Sequence, residues 1–140
     1  MWKLGNQEPT MTELGHKELS GRVIEAAIAV HQALGPGFLE SVYENALGVE
    51  LSARGIQFEQ QKVVRILHRG VQVGEHRLDL LVEGVLLVEL KAVSDLGNIF
   101  FAICRSQMRA TGIRDGLILN FATMPLTIKR VGPGPEVSSS

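Results

Sequence analysis

The sequence predicts an α/β domain of the α+β kind, a mixed sheet flanked by helices, and three observations point to it. Between Leu19 and Leu51 apolar residues recur every three or four positions, as a buried helix face requires. Beyond Gly55 the spacing changes to two, the period of a strand with one buried face. A third helical stretch and two short apolar runs then close the pattern. A chain of 140 residues has room for one domain with a real core and hardly for two. Its 45% hydrophobic content is enough to fill that core and argues against disorder.

Residues 1–12 are polar and aperiodic and read as a flexible arm; the domain is expected over 13–131. In the first helix Leu19, Val23, Ile24, Ala27, Ile28, His31 and Leu34 share a face. Gly35-Pro36-Gly37 stops it, since neither residue type continues a helix. Leu39, Val42, Tyr43, Ala46, Leu47 and Leu51 mark a second helix, ended by Arg54-Gly55. Ile56 and Phe58 open an extended stretch, Val63 to His68 forms another, and Arg69-Gly70 turns the chain into a strand over Val71 to Val82. Glu83-Gly84 signals a hairpin into a strand from Val85 to Ala92. Within it Val85-Leu86-Leu87-Val88 is apolar on both faces, as a central, doubly covered strand would be. Asp95 could cap a third helix reaching Ala110, with Thr111-Gly112 at its end. Strands follow at Leu117 to Phe121 and Leu126 to Val131. The Gly/Pro/Ser-rich residues 132–140 read as a disordered tail.

The formal charge of −1 provides no global positive field to draw in nucleic acid. That weakens a binding-only reading more than an enzymatic one, because an enzyme can use a local basic patch and a bound metal. Cys104 is the single cysteine, which excludes an internal disulfide and a multi-cysteine metal site; it reads as a small apolar residue on a helix. No apolar run approaches the roughly 18 residues of a membrane span. The first residues carry no signal-peptide core, so the cytoplasm is the expected location.

Chemistry concentrates where the most apolar strand ends in Glu89-Leu90-Lys91. Residues two apart on a strand share a face, so Glu89 and Lys91 project together. Asp79 lies on the preceding strand, embedded in Leu78-Asp79-Leu80-Leu81. Two carboxylates brought together across a hairpin repel unless a cation sits between them, and Mg²⁺ or Mn²⁺ accepts one or two carboxylates plus water and substrate oxygens. Such an ion would activate water against a phosphate while Lys91 balances the growing charge. A structural ion pair of Lys91 with either carboxylate explains the same residues. Register adds a constraint. A two-residue turn at Glu83-Gly84 would pair Asp79 with Val88 and turn it away from Glu89. A shared site therefore requires a three-residue loop or a bulge between the two carboxylates.

The stretch from His31 to Tyr43, HQALGPGFLESVY, is similar to the signature of the GxxExxY family, with Gly37, Glu40 and Tyr43 at the named positions. By fold that family falls within the PD-(D/E)xK nuclease superfamily. The resemblance runs from about Leu19 to Val131 and takes in Gly74 to Leu80, Val88 to Val93, Ala110-Thr111-Gly112 and Leu119-Asn120-Phe121. It implies a nuclease with Asp79, Glu89 and Lys91 as catalytic core, Asp79 and Glu89 as metal ligands, and Glu40 as an additional carboxylate. Glu40 sits in a first helical turn, where the helix dipole also accounts for a carboxylate. His31, Tyr43, Arg77 and Gln107 are accessory candidates; a buried histidine, a core tyrosine and a solvated strand face are the plainer readings of the first three. The expected partner is nucleic acid, DNA ahead of RNA, and a second copy of the chain is a further candidate.

One departure stands out. In the family the helix before Ala110-Thr111-Gly112 carries polar residues of the His-Glu-Ala-Gln kind facing the site. This chain has Phe100-Phe101-Ala102-Ile103 there, and Gln107 is one turn away on the face of Phe100 and Ile103. A catalytically inactive nuclease-fold module for binding or assembly is therefore the alternative.

Overall fold

The computed structural model describes residues 11–134. Three helices and five strands follow in the order α1 (Met11–Leu34), α2 (Glu40–Ala53), β1 (Phe58–His68), β2 (Val71–Val82), β3 (Leu86–Lys91), α3 (Asn98–Thr111), β4 (Asp115–Asn120) and β5 (Thr127–Val131). The strands form one sheet in sequence order. All neighbours are antiparallel except β3 and β4, which run parallel with α3 as the crossover that such a pair needs. The fold is thus the expected α+β arrangement.

Helices cover both faces. Val23, Ala27, Tyr43, Leu47 and Leu51 of α1 and α2 pack on Leu80, Val82, Val88, Leu90, Leu117 and Leu119. Cys104 and Met108 of α3 pack on Leu78, Leu81, Leu87 and Ile118 of the other face. That double cover is why β3 and β4 are apolar almost without alternation.

The bend between α1 and α2 is tied from inside. Gly35 and Gly37 take φ of 69° and 113°, conformations that a side chain resists. Tyr43, fully buried and stacked 4.6 Å from Phe121, donates to the Gly35 carbonyl at 2.6 Å and accepts from the Phe38 amide at 3.2 Å. Tyr43→Phe keeps the ring and deletes both bonds. It is expected to lower stability by about 1–2 kcal/mol, readable by urea denaturation.

Several boundaries differ from the sequence reading. α1 begins at Met11, inside the expected arm, and the rest of that arm lies outside the described residues. Gly15, Lys17 and Glu18 are exposed, and His16 anchors this part of α1 to Asp115 at 2.9 Å. β1 is one strand rather than two stretches, and buried Ile56 precedes it in a loop. α3 starts at Asn98 behind Gly97, not at a cap on Asp95, and Gly97 makes no side-chain cap bond. Of the expected tail, residues 132–134 are irregular and 135–140 lie outside the described residues.

Two features position the functional residues. First, the β2–β3 connection is the three-residue loop Glu83–Val85 rather than a two-residue hairpin, with Glu83 and Gly84 at φ 52° and 71°. The pairs Val82↔Leu86, Leu81↔Leu87 and Leu80↔Val88, continued by one step, set Asp79 opposite Glu89. Second, β1 and β2 pair from Phe58↔Val82 to Ile66↔Gly74 with one rung missing, Gln61 with Asp79. Both strands turn over there: Phe58, Leu80 and Val82 join the α1–α2 core, whereas Val64 and Leu78 join the α3 core. Gln61 carries the distortion, at φ 57°.

Candidate active site

Asp79 stands where β2 leaves β3, so its carboxylate occupies the place of the next ladder bond. Its Oδ2 accepts from the Leu90 amide at 2.9 Å, the residue between Glu89 and Lys91. Glu89 lies opposite, only 6% exposed, with its Oε1 buried and without a hydrogen-bond partner. Burial foremost, then a hydrogen bond to the Asp79 carboxyl and the Asp79 charge, push the Glu89 carboxyl up to about 10; Lys91 and the Asp79 backbone pull the other way. The rise favours the protonated form of Glu89 in the metal-free chain, which lets two carboxyls share this space without a cation.

Lys91 ends β3 with its Nζ 4.7 Å from the centre of the Phe100 ring. An ammonium over an aromatic face is held by the ring's quadrupole. Glu40 opens α2 and reaches the same group of charges. Burial raises its carboxyl above the usual range against the pull of Lys91, and Asp79 and Glu44 add to the rise. The geometry thus collects Asp79, Glu89, Lys91 and Glu40 from three elements. Asp79 and Glu89 provide two hard oxygen donors, one of them orphaned. Among the described residues no group of three or more His, Cys, Asp or Glu could hold an ion by itself. Two carboxylates still fit Mg²⁺, which keeps several waters and needs only one or two such ligands.

The accessory candidates separate. His31 is buried and bonds through Nε2 to the Thr123 carbonyl at 2.9 Å, and Tyr43 closes the α1–α2 bend; neither hydrogen bond reaches the carboxylates. Arg77 is exposed on β2, two residues before Asp79 and opposite Val63. Gln107 is 5% exposed and its Oε1 has no partner, so it belongs to the interior of α3 rather than to its solvent face. The expected shared face of Phe100, Ile103 and Gln107 is uneven. Gln107 is buried, Phe100 is half-buried with its ring by the Lys91 ammonium, and Ile103 is 41% exposed. Cys104 is the small core residue expected, its thiol raised to about 12 chiefly by burial and therefore unreactive.

Two residues at the site escaped the sequence reading. Glu44, 6% exposed, accepts from Gln61 Nε2 at 2.8 and 3.0 Å through its two oxygens and from Gln60 Nε2 at 2.6 Å. The Gln61 amide also lies 3.5 Å from Asp79 Oδ1. A carboxylate one turn after Glu40, on the same helical face, was the available signal for Glu44. Gln61 had none beyond being polar in a strand.

Neither curated proteins nor solved structures gave a match to this chain. A family model, described as the PD-(D/E)XK nuclease superfamily, matches residues 17–131. That span holds both packed cores, the β2–β3 hairpin and every residue collected at the site. Nucleases of this superfamily typically use divalent metals and act on nucleic acid, in keeping with two opposed carboxyls and a lysine at the end of a central strand. The chain belongs to the PD-(D/E)XK nuclease superfamily.

Proposed function

We propose that this chain is a Mg²⁺- or Mn²⁺-dependent nuclease of the GxxExxY kind, acting in the cytoplasm on phosphodiester bonds of DNA in preference to RNA. The observation that carries the reading is the opposition of Asp79 and Glu89 with a buried Glu89 oxygen left unpartnered. An orphaned buried oxygen is costly, and a cation in place of the shared proton satisfies it. The ion, when bound, supplies an activated water and neutralises charge on the phosphate. Asp79 and Glu89 hold it, and the Leu90 amide fixes the orientation of Asp79. Lys91 places a compact positive charge beside them, its ammonium held over the Phe100 ring. Glu40, with a raised carboxyl, is the neighbouring group able to take up and return a proton.

The test is a panel of DNA and RNA substrates with Mg²⁺, Mn²⁺ or EDTA; metal-dependent cleavage of DNA is the expected result. Lys91→Ala is expected to lower cleavage by about 10²-fold or more while Mn²⁺ affinity stays level or rises, since a nearby positive charge is removed. Calorimetric titration beside a rate assay separates the two effects. The reading includes a homodimer, supported by Ile99 and Ile103, 62% and 41% exposed on α3; light scattering of the purified protein checks it. One observation favours the inactive module instead: Phe100 covers Lys91 where the family places polar residues. That alternative predicts neither cleavage nor affinity for the ion.

A further inference from the structure

Asp79 is bonded on one side by the Leu90 amide and approached on the other, and the approach has an unusual origin. The Gln61 amide nitrogen faces two carboxylates, Glu44 at 2.8 and 3.0 Å and Asp79 at 3.5 Å. Both neighbours accept, so chemistry dictates that the nitrogen and not the carbonyl oxygen points at them. To reach them Gln61 adopts φ 57°, in the region that non-glycine residues seldom occupy, at the single missing rung of the β1–β2 ladder. Strain of this sort persists only where surrounding contacts over-determine it. The contact doing so is Glu44, buried on α2, with both carboxylate oxygens taken by the Gln60 and Gln61 amides. With its oxygens engaged in this way, Glu44 is placed to hold Gln61 rather than an ion.

We infer that Glu44 and Gln61 are positioning residues, a relay from α2 through a strained β1 backbone that orients the Asp79 carboxylate for a divalent cation. The inference rests on the metal-site reading above and goes beyond it by assigning a task to two residues outside the ligand pair. Outer partners of this kind fix the direction of a ligand's lone pairs, and their loss typically weakens metal affinity by 10–100-fold.

The experiment titrates the full chain with Mn²⁺ by calorimetry, with melting in EDTA as a check of folding. Gln61→Gly accepts the left-handed backbone freely and removes the amide. Gln61→Asn tolerates the same backbone and keeps an amide one methylene too short. Both are expected to fold and to bind Mn²⁺ about 10–100-fold more weakly than the parent. Glu44→Gln should weaken binding in the same range, and combining it with Gln61→Gly should add nothing, because both act along one path. Gln57→Ala, an exposed side chain before β1 that bonds neither Glu44 nor Asp79, should leave the affinity at the parent value. Parent-like affinity in folded Gln61→Gly and Gln61→Asn overturns the inference, as does an equal loss in Gln57→Ala. If Asp79→Asn abolishes binding while the Gln61 variants retain it, the metal site stands and only the relay falls. If the parent binds no Mn²⁺, or Asp79→Asn binds as the parent does, the metal-site reading fails and the relay with it.

Discussion

Asp79→Asn and Glu89→Gln are each expected to reduce cleavage by on the order of 10²–10⁴ and to abolish measurable Mn²⁺ binding while the protein stays folded. The structure explains why folding should survive. An asparagine at 79 can still accept from the Leu90 amide through its oxygen, replacing the 2.9 Å bond that Asp79 makes. Its nitrogen then stands in the place of Oδ1, so only the long 3.5 Å contact from the Gln61 amide is lost. Glutamine at 89 supplies a donor toward Asp79 without changing the volume buried in β3. Asparagine at 79 removes a negative charge that would attract an ion, glutamine at 89 removes a carboxyl that can give up its proton to one, and both leave the packing of Leu78, Leu87 and Ile118 intact. Rate assays, calorimetry and circular dichroism on the same preparations give the comparison. Parent-like Mn²⁺ affinity in both variants would sink the metal-site reading and bring the assembly module forward.

The metal-free protein is expected to lose stability as pH rises, and Glu89→Gln to remove most of that dependence. The Glu89 carboxyl stands at about 10 in the folded chain against an ordinary 4.5. Between those values the folded state binds a proton that the unfolded state has released. Its contribution is therefore fully present below about pH 4.5 and is lost progressively as pH rises toward 10. Across the middle of that window the slope approaches about 1.4 kcal/mol per pH unit, enough to move the melting temperature by several degrees per unit. Glu40 shifts in the same direction, so the difference between parent and variant, not the parent's curve alone, isolates Glu89. Urea denaturation in EDTA at pH 6, 7, 8 and 9 reads it. Parallel curves for parent and Glu89→Gln would show that Glu89 is ionised in the fold. Saturating Mn²⁺ should flatten the parent's curve, because a bound cation takes the place of the proton.

What the sequence displayed and what it concealed follow from the range of the interactions involved. The Gly-Pro-Gly stop, the change of period after Gly55 and the apolar Val85–Val88 run are local, and each became the expected element. Asp79, Glu89 and Lys91 were legible because charges inside apolar strands are conspicuous. The three-residue loop was legible because only one register lets both carboxyls face each other. Gln61 and Glu44 stayed hidden. Their geometry is made by contacts 17 residues apart and by a backbone angle that no residue pattern near Gln61 announces. The start of α1 was hidden for another reason. The tie of its N-terminal half to β4 is a contact between His16 and Asp115, 99 residues apart. The cap of α3 was misplaced because Asp95 has the better side chain and the chain instead starts its helix behind a glycine.

The bond from the Leu90 amide to Asp79 makes one proton of the backbone a spectator of everything that happens at that carboxylate. Its acceptor is a carboxylate oxygen rather than a peptide carbonyl of β2, so the strength of the bond varies with what else the carboxylate holds. With the carboxylate free the amide resonance should lie downfield and exchange slowly with solvent. As a cation or proton draws density from Oδ2, the resonance should move upfield and exchange should quicken. A nitrogen-resolved spectrum could thus follow occupancy at Asp79 through Leu90 alone, in a protein that need not turn over any substrate.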